Sequence, residues 1–277
     1  MSPPADLYCV MGNPVAHSRS PAIHTRFAEL TGEHLVYERR LLPLDGFAQG
    51  VRDFLAEGGR GCNVTVPFKL EAAQLADQCS ERVRLAGAAN TLLFTTEGIH
   101  ADNTDGLGLV ADITRNAGVA LAGRDVLLVG AGGAAAGVLG PLIEAGARRI
   151  TVANRTLSRA EALVAAHAPL AALHKTELLA STPQGLEADF DITINATASS
   201  LAGAEVPVPA RVLRAGSLAY DMMYGPAAQG FLDWARQHGA TPRDGLGMLV
   251  EQAAEAFALW RGVRPPSAQV LAELQAH

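Results

Sequence analysis

The segment Val126–Gly137 restricts the possible folds of this chain more than any other, because it joins an apolar run directly to a glycine-rich turn. Its first four residues, VLLV, predict a buried strand, and the pattern G-x-G-x-x-A starting at Gly130 predicts a turn into a helix. Gly130 permits a tight turn, Gly132 lets the backbone approach a diphosphate, and the small Ala135 allows close packing of helix on strand. The segment therefore predicts a dinucleotide-binding unit, with the helix N-terminus facing the phosphates. A glycine turn that only serves packing is the alternative.

Length and composition place this unit in a larger globular protein. The chain has 277 residues, and because one domain usually takes roughly 100–150 residues, two domains are expected. Apolar residues make up 49% and charged residues 18%, which allows a large buried core and excludes intrinsic disorder. The net charge is −6 and no block of Lys or Arg occurs, so a nucleic-acid partner is not expected.

Cysteine usage and hydropathy bear on the compartment. The three cysteines form no C-x-x-C pair, so neither a disulfide framework nor a metal site is expected, and a reducing cytoplasm is the natural location. The first ten residues lack a basic region followed by an apolar run, which predicts no signal peptide. The uncharged stretch Val126–Ile143 contains glycines and a proline, so no membrane span is expected either.

Short apolar runs alternate with helical patterns along the first hundred residues. Ser20 followed by Pro21 predicts a helix N-cap with proline at the first helical position, and Gly32 predicts the end of that helix. Glu97 and Gly98 separate two apolar runs and predict a hairpin. The predicted strands are Leu7–Met11, His34–Arg39, Cys62–Val66, Asn90–Thr95 and Ile99–Asp102, and the other predicted helices are Leu44–Ala56 and about Lys69 to Ala76.

A second alternating series has the spacing of βαβ units, which predicts a parallel sheet with helices on its faces. A last helix is predicted from Leu246 to Trp260, with Gly262 as its end, and the joints between domains are expected near Asp105 and Gly245. The predicted strands are Asp125–Val129, Arg149–Ala153, Asp191–Asn195 and Ser217–Asp221, preceded by a helix near Gly106–Asn116.

The segment Asn154–Arg159 follows the second of these strands and bears on the choice of nucleotide. A site for NAD usually has Asp or Glu at this point to accept a hydrogen bond from the ribose 2′-hydroxyl. Here Arg155 and Arg159 stand beside small hydrogen-bonding side chains, which suits a 2′-phosphate. NADP is therefore expected. The alternative is a solvated pair of arginines, with Thr156 capping the next helix.

Polar residues at the ends of the elements are candidates for a substrate site. Ser18 and Ser20 lie at the N-terminus of a predicted helix, where hydroxyls and backbone amides could hold a carboxylate. Each candidate also has a simple structural explanation: Ser20 as an N-cap, Lys69 as a solvated side chain and Asp105 as a helix cap. Gln252 interrupts the apolar stripe of the last helix, so its amide needs a partner, either in the core or on a ligand.

Nine short motifs occur in a particular order between Gly12 and Ala253. They are GNPVAHSRSP, NVTVPFK, GAANT, DNTDG, GAGGAAAG, NRTLSR, INAT, YDMMY and DGLGMLVEQA. In this order the sequence resembles the shikimate dehydrogenase family over essentially its whole length. The resemblance implies NADP-linked, reversible reduction of 3-dehydroshikimate to shikimate, on the route to chorismate and the aromatic amino acids. It also implies an α/β fold in which a Rossmann-type NADP-binding domain, residues 106–245, is inserted in a substrate-binding domain, residues 1–105 and 246–277, with the active site in the cleft.

The resemblance assigns roles to the polar candidates. Lys69 and Asp105 are implied as the catalytic pair, because an ammonium can stabilise and protonate the alkoxide that forms when hydride reaches a ketone. Whether Lys69 donates the proton or mainly stabilises charge is left open. The implied substrate-binding residues are Ser18, Ser20 and Tyr224 at the carboxylate, and Thr65, Lys69, Asn90, Asp105 and Gln252 at the ring hydroxyls and the reacting oxygen.

The resemblance also implies the cofactor site. One departure stands out, because Ala135 and Ala136 occupy positions where relatives often have Ser-Arg, and a basic contact to the phosphates is missing. The implied NADP-binding residues are Gly130, Ala131, Gly132, Gly133 and Ala134 in the glycine loop, Asn154, Arg155, Thr156, Leu157, Ser158 and Arg159 after the second strand, Met222 and Gly245 near the nicotinamide, and Glu81 at the edge.

Two alternative functions are left by these motifs. One is a broader quinate/shikimate dehydrogenase that uses NAD, which the segment Asn154–Thr156 disfavours because it lacks the acidic residue typical of those relatives. The other is an inactive NADP-binding regulator, which the intact pair Lys69 and Asp105 disfavours. The expected partner is the small-molecule substrate, and the sequence does not decide between a monomer and a homodimer.

Overall fold

The computed structural model describes residues 4–199 and 206–276 and divides into two compact units. The first unit contains the residues up to Gly108 and those from Leu249 onward, and the second contains Leu109–Met248. The strands are β1 Asp6–Gly12, β2 Leu35–Leu41, β3 Gly59–Val64, β4 Gln78–Cys79, β5 Thr91–Thr95, β6 Gly98–Asp102, β7 Asp125–Val129, β8 Arg149–Ala153, β9 Glu177–Ser181, β10 Ile192–Asn195, β11 Leu218–Asp221 and β12 Thr241–Arg243.

The helices fill the connections between the strands. They are α1 Ser20–Thr31, α2 Phe47–Ala56, α3 Lys69–Leu75, α4 Glu81–Ala86, α5 Asp105–Ala111, α6 Gly133–Glu144, α7 Leu157–His174, α8 Gln229–Gln237, α9 Leu246–Arg261 and α10 Ser267–Gln275. Helix α5 continues into one wider π-helical turn, Asp112–Asn116. The α/β class expected from the alternating pattern is confirmed.

The first unit contains a mixed sheet in the order β2-β1-β3-β5-β6-β4. β1 pairs in parallel with β2 and β3, whereas β5 runs antiparallel to both β3 and β6, which confirms the predicted hairpin. The two phenylalanines of α2, together with Phe68 just before α3, belong to the core on one face of this sheet. In a separate cluster Tyr8 stacks on Trp260 of α9, with 4.7 Å between the ring centroids, and Tyr37 packs beside them.

The second unit contains an all-parallel sheet in the order β12-β11-β10-β7-β8-β9, which confirms the predicted parallel sheet. Renumbered within the unit, this is the doubly wound order of dinucleotide-binding domains. The order reverses between β7 and β10, so their carboxyl ends form the topological switch point where such sheets bind ligands. β7 is buried at every position, as its run of apolar residues predicts.

A buried ion pair joins three elements of the second unit. The Asp112 carboxylate is fully buried and accepts two hydrogen bonds from the Arg243 guanidinium, at 2.5 and 2.7 Å. It also accepts one from the Tyr220 hydroxyl at 2.7 Å. Burial and the nearby carboxylate raise the pKa of Tyr220 well above its usual value. The π-helical turn is thereby tied to β11 and β12.

Several element boundaries differ from the sequence expectations for identifiable reasons. Ser20 is the first residue of α1 and not its N-cap, a position that Arg19 occupies without a side-chain cap. The elements that the sequence pattern missed are short or lie at sheet edges, and are β4, β9, β12, α4, α8 and α10. β12 contains Pro242, which an edge strand tolerates because one side of its backbone needs no partner.

Candidate active site

Lys69 and Asp105 form an ion pair in the first unit. Lys69 is the first residue of α3 and Asp105 the first residue of α5, and Nζ of the lysine lies 2.5 Å from Oδ2 of the aspartate. The Asp105 backbone N–H donates to Oδ1 of Asn103 at 3.2 Å, which forms a turn that leads into the helix. Asp105 lies inside the helix and not at its N-cap position, so the cap interpretation is wrong, and its carboxylate is directed instead to the lysine.

Asn90 holds the other oxygen of the same carboxylate. Its amide nitrogen donates to Oδ1 of Asp105 at 2.8 Å, and the Asn90 side chain is buried. The amide cannot be flipped, because Oδ1 of Asn90 accepts a hydrogen bond from the backbone N–H of Thr104 at 2.9 Å. The fold therefore presents Asp105 between two donors, one from a lysine and one from an amide.

Gln252 reaches this cluster from α9, late in the chain. Its amide nitrogen donates to the carbonyl of Leu249 at 2.8 Å, and its Oε1 accepts from Nδ2 of Asn90 at 3.2 Å. The polar residue on the apolar face thus has a partner, as predicted. Thr104 also approaches Oε1, at 3.4 Å, and belongs to the cluster although the sequence analysis did not single it out. Its place inside the DNTDG motif was the available signal.

The serine loop, residues 17–20, lies at the start of α1. The backbone N–H of Ser20 donates to Oγ of Ser18 at 3.3 Å, and the Ser20 side chain is buried. Arg39 of β2 donates from Nε and Nη2 to the carbonyl of Ser18, at 3.1 and 2.6 Å, and so holds the loop. Thr65, half-buried just after β3, accepts the backbone N–H of Phe68 through its carbonyl and leads into α3.

The glycine loop, Gly130–Ala134, leaves the carboxyl end of β7 at the switch point. Gly130 has φ +110°, and a Cβ there would lie 3.1 Å from Cγ2 of Thr197 and 3.3 Å from the carbonyl of Ala196. Gly132 and Gly133 have no neighbouring atom within 4 Å of an added Cβ, so the backbone borders open space at the start of α6. Ala135 is fully buried against the sheet. The residues present therefore fit a diphosphate at the helix N-terminus.

The segment after β8 leaves two cations available. Arg155 and Arg159 are exposed, and neither pairs with a carboxylate among the described residues. Thr156 occupies the N-cap position of α7 without a side-chain hydrogen bond, so it does not serve as the expected alternative cap. Asn154 donates from its amide to the carbonyl of Thr156 at 2.9 Å and shapes the turn. Leu157 and Ser158 open α7 and are also exposed.

The structure brings Met222 and Gly245 together in the second unit, whereas Glu81 belongs to the first unit. A Cβ at Gly245 would clash with the carbonyl oxygen of Met222, so only glycine fits there. Tyr224 follows β11 in the same unit and is half-buried. Glu81 is exposed at the start of α4 and, within the described part of its unit, makes no hydrogen bond to another predicted site residue.

Comparisons with known proteins agree with this arrangement of motifs. Residues 10–92 match the model of the shikimate dehydrogenase substrate binding domain, 112–206 that of shikimate/quinate 5-dehydrogenase, and 245–275 that of the shikimate 5′-dehydrogenase C-terminal domain. A relative from Verminephrobacter eiseniae named shikimate dehydrogenase (NADP(+)) is 78% identical over 98% of this chain and 94% of its own length. The chain belongs to the shikimate dehydrogenase family.

Solved structures extend the family likeness to the whole fold. The Ael1 enzyme from Pseudomonas putida is 45% identical with a TM-score of 0.89, over 98% of both chains. A shikimate 5-dehydrogenase from Thermus thermophilus, solved in complex with NADP(H) and shikimate, is 31% identical with a TM-score of 0.84, over 98% of this chain and 99% of its own. No helix in the described part of this family member is both long and apolar enough to cross a membrane.

Proposed function

We propose that this protein is an NADP-dependent shikimate dehydrogenase that catalyses the reversible reduction of 3-dehydroshikimate to shikimate. The observation that carries the proposal is the ion pair between Lys69 and Asp105, at 2.5 Å, with Asn90 and Gln252 hydrogen-bonded around it. An ammonium fixed by a carboxylate among neutral amides suits a substrate that carries several hydroxyls and one reacting oxygen. The name of the 78% identical relative supports the same activity.

Lys69 acts on the reacting oxygen. NADPH, held by the glycine loop and the arginines after β8, would supply the hydride for the ketone carbon, and the C=O π electron pair would pass to the ketone oxygen as negative charge. The Lys69 ammonium stabilises this charge and gives the proton that completes the alcohol. Asp105 accepts a hydrogen bond from the same ammonium and so fixes where Nζ lies. In the reverse direction Lys69 takes the proton from the alcohol.

The other polar residues bind and orient the substrate. The amides of Asn90 and Gln252, together with the Thr65 hydroxyl, are assigned to the ring hydroxyls. Ser18 and Ser20 are assigned to the carboxylate, since the loop that carries them lies at the positive N-terminal end of α1, a helix of twelve residues. Tyr224 is assigned to the substrate carboxylate on the family pattern.

The cofactor is assigned to the second unit. The glycine loop and the start of α6 supply backbone N–H groups for the diphosphate, and Arg155 and Arg159 supply charge for the 2′-phosphate. Met222 and Gly245 are assigned to the nicotinamide and Glu81 to the edge of the site. Residues 106–245 are accordingly proposed as the NADP-binding domain, and residues 1–105 with 246–277 as the substrate-binding domain.

The compartment and assembly complete the proposal. All three cysteines are free thiols, which suits a reducing cytoplasm. The proposed partner is the substrate, a small carboxylic acid. Whether the protein is a monomer or a homodimer is measured by size-exclusion chromatography with light scattering.

The deciding experiment is an absorbance assay of NADP+ reduction with shikimate, run beside NAD+ and beside quinate. Fast turnover only with shikimate and NADP+ is expected, because the exposed arginines after β8 favour the 2′-phosphate. Comparable efficiency with NAD+ or quinate would move the protein to the broader quinate/shikimate branch. Binding of NADP+ without turnover would favour an inactive regulator.

A further inference from the structure

We propose that Tyr37, Asn63 and Thr91 are positioning residues for the reaction, because they form one buried hydrogen-bond chain that ends on Asn90 and through it on Asp105. The inference rests on the proposed function, since it concerns the same catalytic pair. None of the three residues belongs to the substrate or cofactor set assigned above. They act through Asn90 and are not catalytic residues themselves.

The first half of the chain crosses the sheet of the first unit. The Tyr37 hydroxyl, on β2, donates to Oδ1 of Asn63 on β3 at 2.8 Å. Asn63 then donates from its amide nitrogen to Oγ1 of Thr91 on β5 at 3.1 Å. Its orientation is fixed, because the same nitrogen also donates to the carbonyl of Asn90 at 3.2 Å, and a carbonyl can only accept.

The second half connects to the catalytic pair. Oγ1 of Thr91 donates to Oδ1 of Asn90 at 2.9 Å. Since the Thr104 backbone N–H also donates to that oxygen, the amide nitrogen of Asn90 must face Oδ1 of Asp105. Every hydroxyl and amide in the chain therefore points its proton the same way, from Tyr37 toward the carboxylate.

Burial makes this order of donors rigid. Thr91 is fully buried, and Tyr37, Asn63 and Asn90 are buried too. Hydrogen bonds whose donors are aligned strengthen each other, and a buried polar atom that loses its partner destabilises the fold. Asn90 is therefore held in one rotamer and one amide orientation. Asp105 receives a fixed donor on one oxygen while Lys69 occupies the other.

The functional consequence follows from how sensitive the pair is to position. Hydride addition needs the Lys69 ammonium at the reacting oxygen, and small displacements of a catalytic group cost large factors in rate. When one of these hydrogen bonds is removed, the Asn90 side chain can change its rotamer. The Asp105 carboxylate, which holds the Lys69 ammonium, is then no longer fixed. The hydrogen-bond chain thus fixes the position of the catalytic pair relative to β2 and β3.

Thr91 offers a test that separates this role from simple packing. Thr91→Val keeps the volume of the side chain but removes the hydroxyl, whereas Thr91→Ser keeps the hydroxyl and removes a buried methyl. We expect kcat with shikimate, counted per NADPH-binding site, to fall by about fivefold or more in Thr91→Val, and Thr91→Ser to retain most of the rate. If Thr91 only supports packing, the activities will instead follow the melting temperatures of the two variants.

Tyr37 provides a second, independent test with a matched control. Tyr37→Phe removes the donor to Asn63, whereas Tyr8→Phe removes a hydroxyl of the same aromatic cluster that accepts from Arg261 at 3.3 Å, away from the catalytic pair. Tyr37→Phe is expected to lower kcat per site severalfold, while Tyr8→Phe is expected to match the unsubstituted enzyme.

Two results would overturn the inference, and neither affects the proposed function. One is unchanged kcat in both Thr91→Val and Tyr37→Phe. The other is an equal loss in Thr91→Val and Thr91→Ser. Failure of the proposed function has a different signature, because the unsubstituted enzyme would then not oxidise shikimate with NADP+ at all.

Discussion

Nζ of Lys69 lies 2.5 Å from Oδ2 of Asp105, although 36 positions separate the two residues in sequence. Each opens a different helix, and each helix follows a strand of the same mixed sheet. The two strands thereby place the ammonium and the carboxylate next to each other. Asn90 and Gln252 extend the hydrogen-bonded cluster around the carboxylate. The lysine ammonium is therefore held at a fixed place beside the amides of Asn90 and Gln252.

Replacing Lys69 by alanine should lower kcat by at least about a hundredfold, the lower range for loss of a general acid. Asp105 keeps its hydrogen bond to Asn90, so the fold should persist. The assay is NADP+ reduction with shikimate, and the control is Lys175→Arg at the only other lysine of the chain. Near-normal turnover in Lys69→Ala would contradict the role assigned to this residue.

Removing both exposed arginines after β8 should weaken NADP+ binding without changing the chemistry. The variant Arg155→Ala/Arg159→Ala is expected to raise KM for NADP+ by about tenfold or more, with kcat nearly unchanged, since each charge-assisted hydrogen bond is worth about 1.5–3 kcal/mol. The ratio of kcat/KM with NADP+ to kcat/KM with NAD+ should therefore fall. Arg52→Ala, at an exposed arginine of α2, serves as the control. An unchanged ratio of the two kcat/KM values would show that these arginines do not bind the 2′-phosphate.

Breaking the buried ion pair of the second unit should destabilise the protein strongly. Asp112→Asn leaves the Arg243 guanidinium facing a neutral group, and removing one partner of a buried pair costs about 3–5 kcal/mol. The free energy of unfolding in urea measures this loss. Asp233→Asn is the control, because Asp233 pairs with Arg236 on an exposed helix face and should change stability by less than about 1 kcal/mol. If the two substitutions lowered the free energy of unfolding equally, burial of the ion pair would not explain the loss of stability.

His24 should make the protein less stable in mild acid. Burial lowers the pKa of His24 from 6.5 to about 3, and a contact with the Asn63 side chain opposes this shift. Between these two values the unfolded chain binds a proton that the folded chain does not, so stability falls as the pH drops below about 6.5. Between pH 7 and pH 5 the loss due to this residue should be about 2 kcal/mol.

The comparison of His24→Phe with the native protein isolates this effect. The histidine ring stacks on Tyr37, with 4.2 Å between the centroids, and phenylalanine preserves that packing without a titrating nitrogen. Urea unfolding at the two pH values should show a smaller pH dependence in His24→Phe. The exposed His17→Gln should behave like the native protein. An unchanged pH dependence in His24→Phe would show that other groups control acid stability.

The long, buried elements were predictable from local pattern. β7 and β8 have the bounds expected from their apolar runs, and the glycine turn leads into α6 as its spacing requires. β9 and β12 were not predictable in the same way. Both lie at sheet edges, where half-exposed residues and a proline carry no strong periodic signal.

Single candidate residues were ambiguous until their neighbours were known. By sequence alone Asp105 could be a helix cap, but it is the first residue of α5, and its carboxylate bonds to Lys69 and Asn90. Thr104 and Arg39 gave no separate signal, since one lies inside a motif already noted and the other on an edge strand.

The sequence by itself determined the alternation of strands and helices, the glycine turn after β7 and the two cations that follow β8. These depend on residues near each other along the chain, where periodicity and turn chemistry act directly. Only the tertiary structure decided that Gln252 meets Asn90, that Asp105 faces Lys69, and that Tyr37 connects to Thr91 through Asn63. These contacts join separate strands and helices, and the direction of each hydrogen bond depends on a buried backbone group that no local pattern reveals.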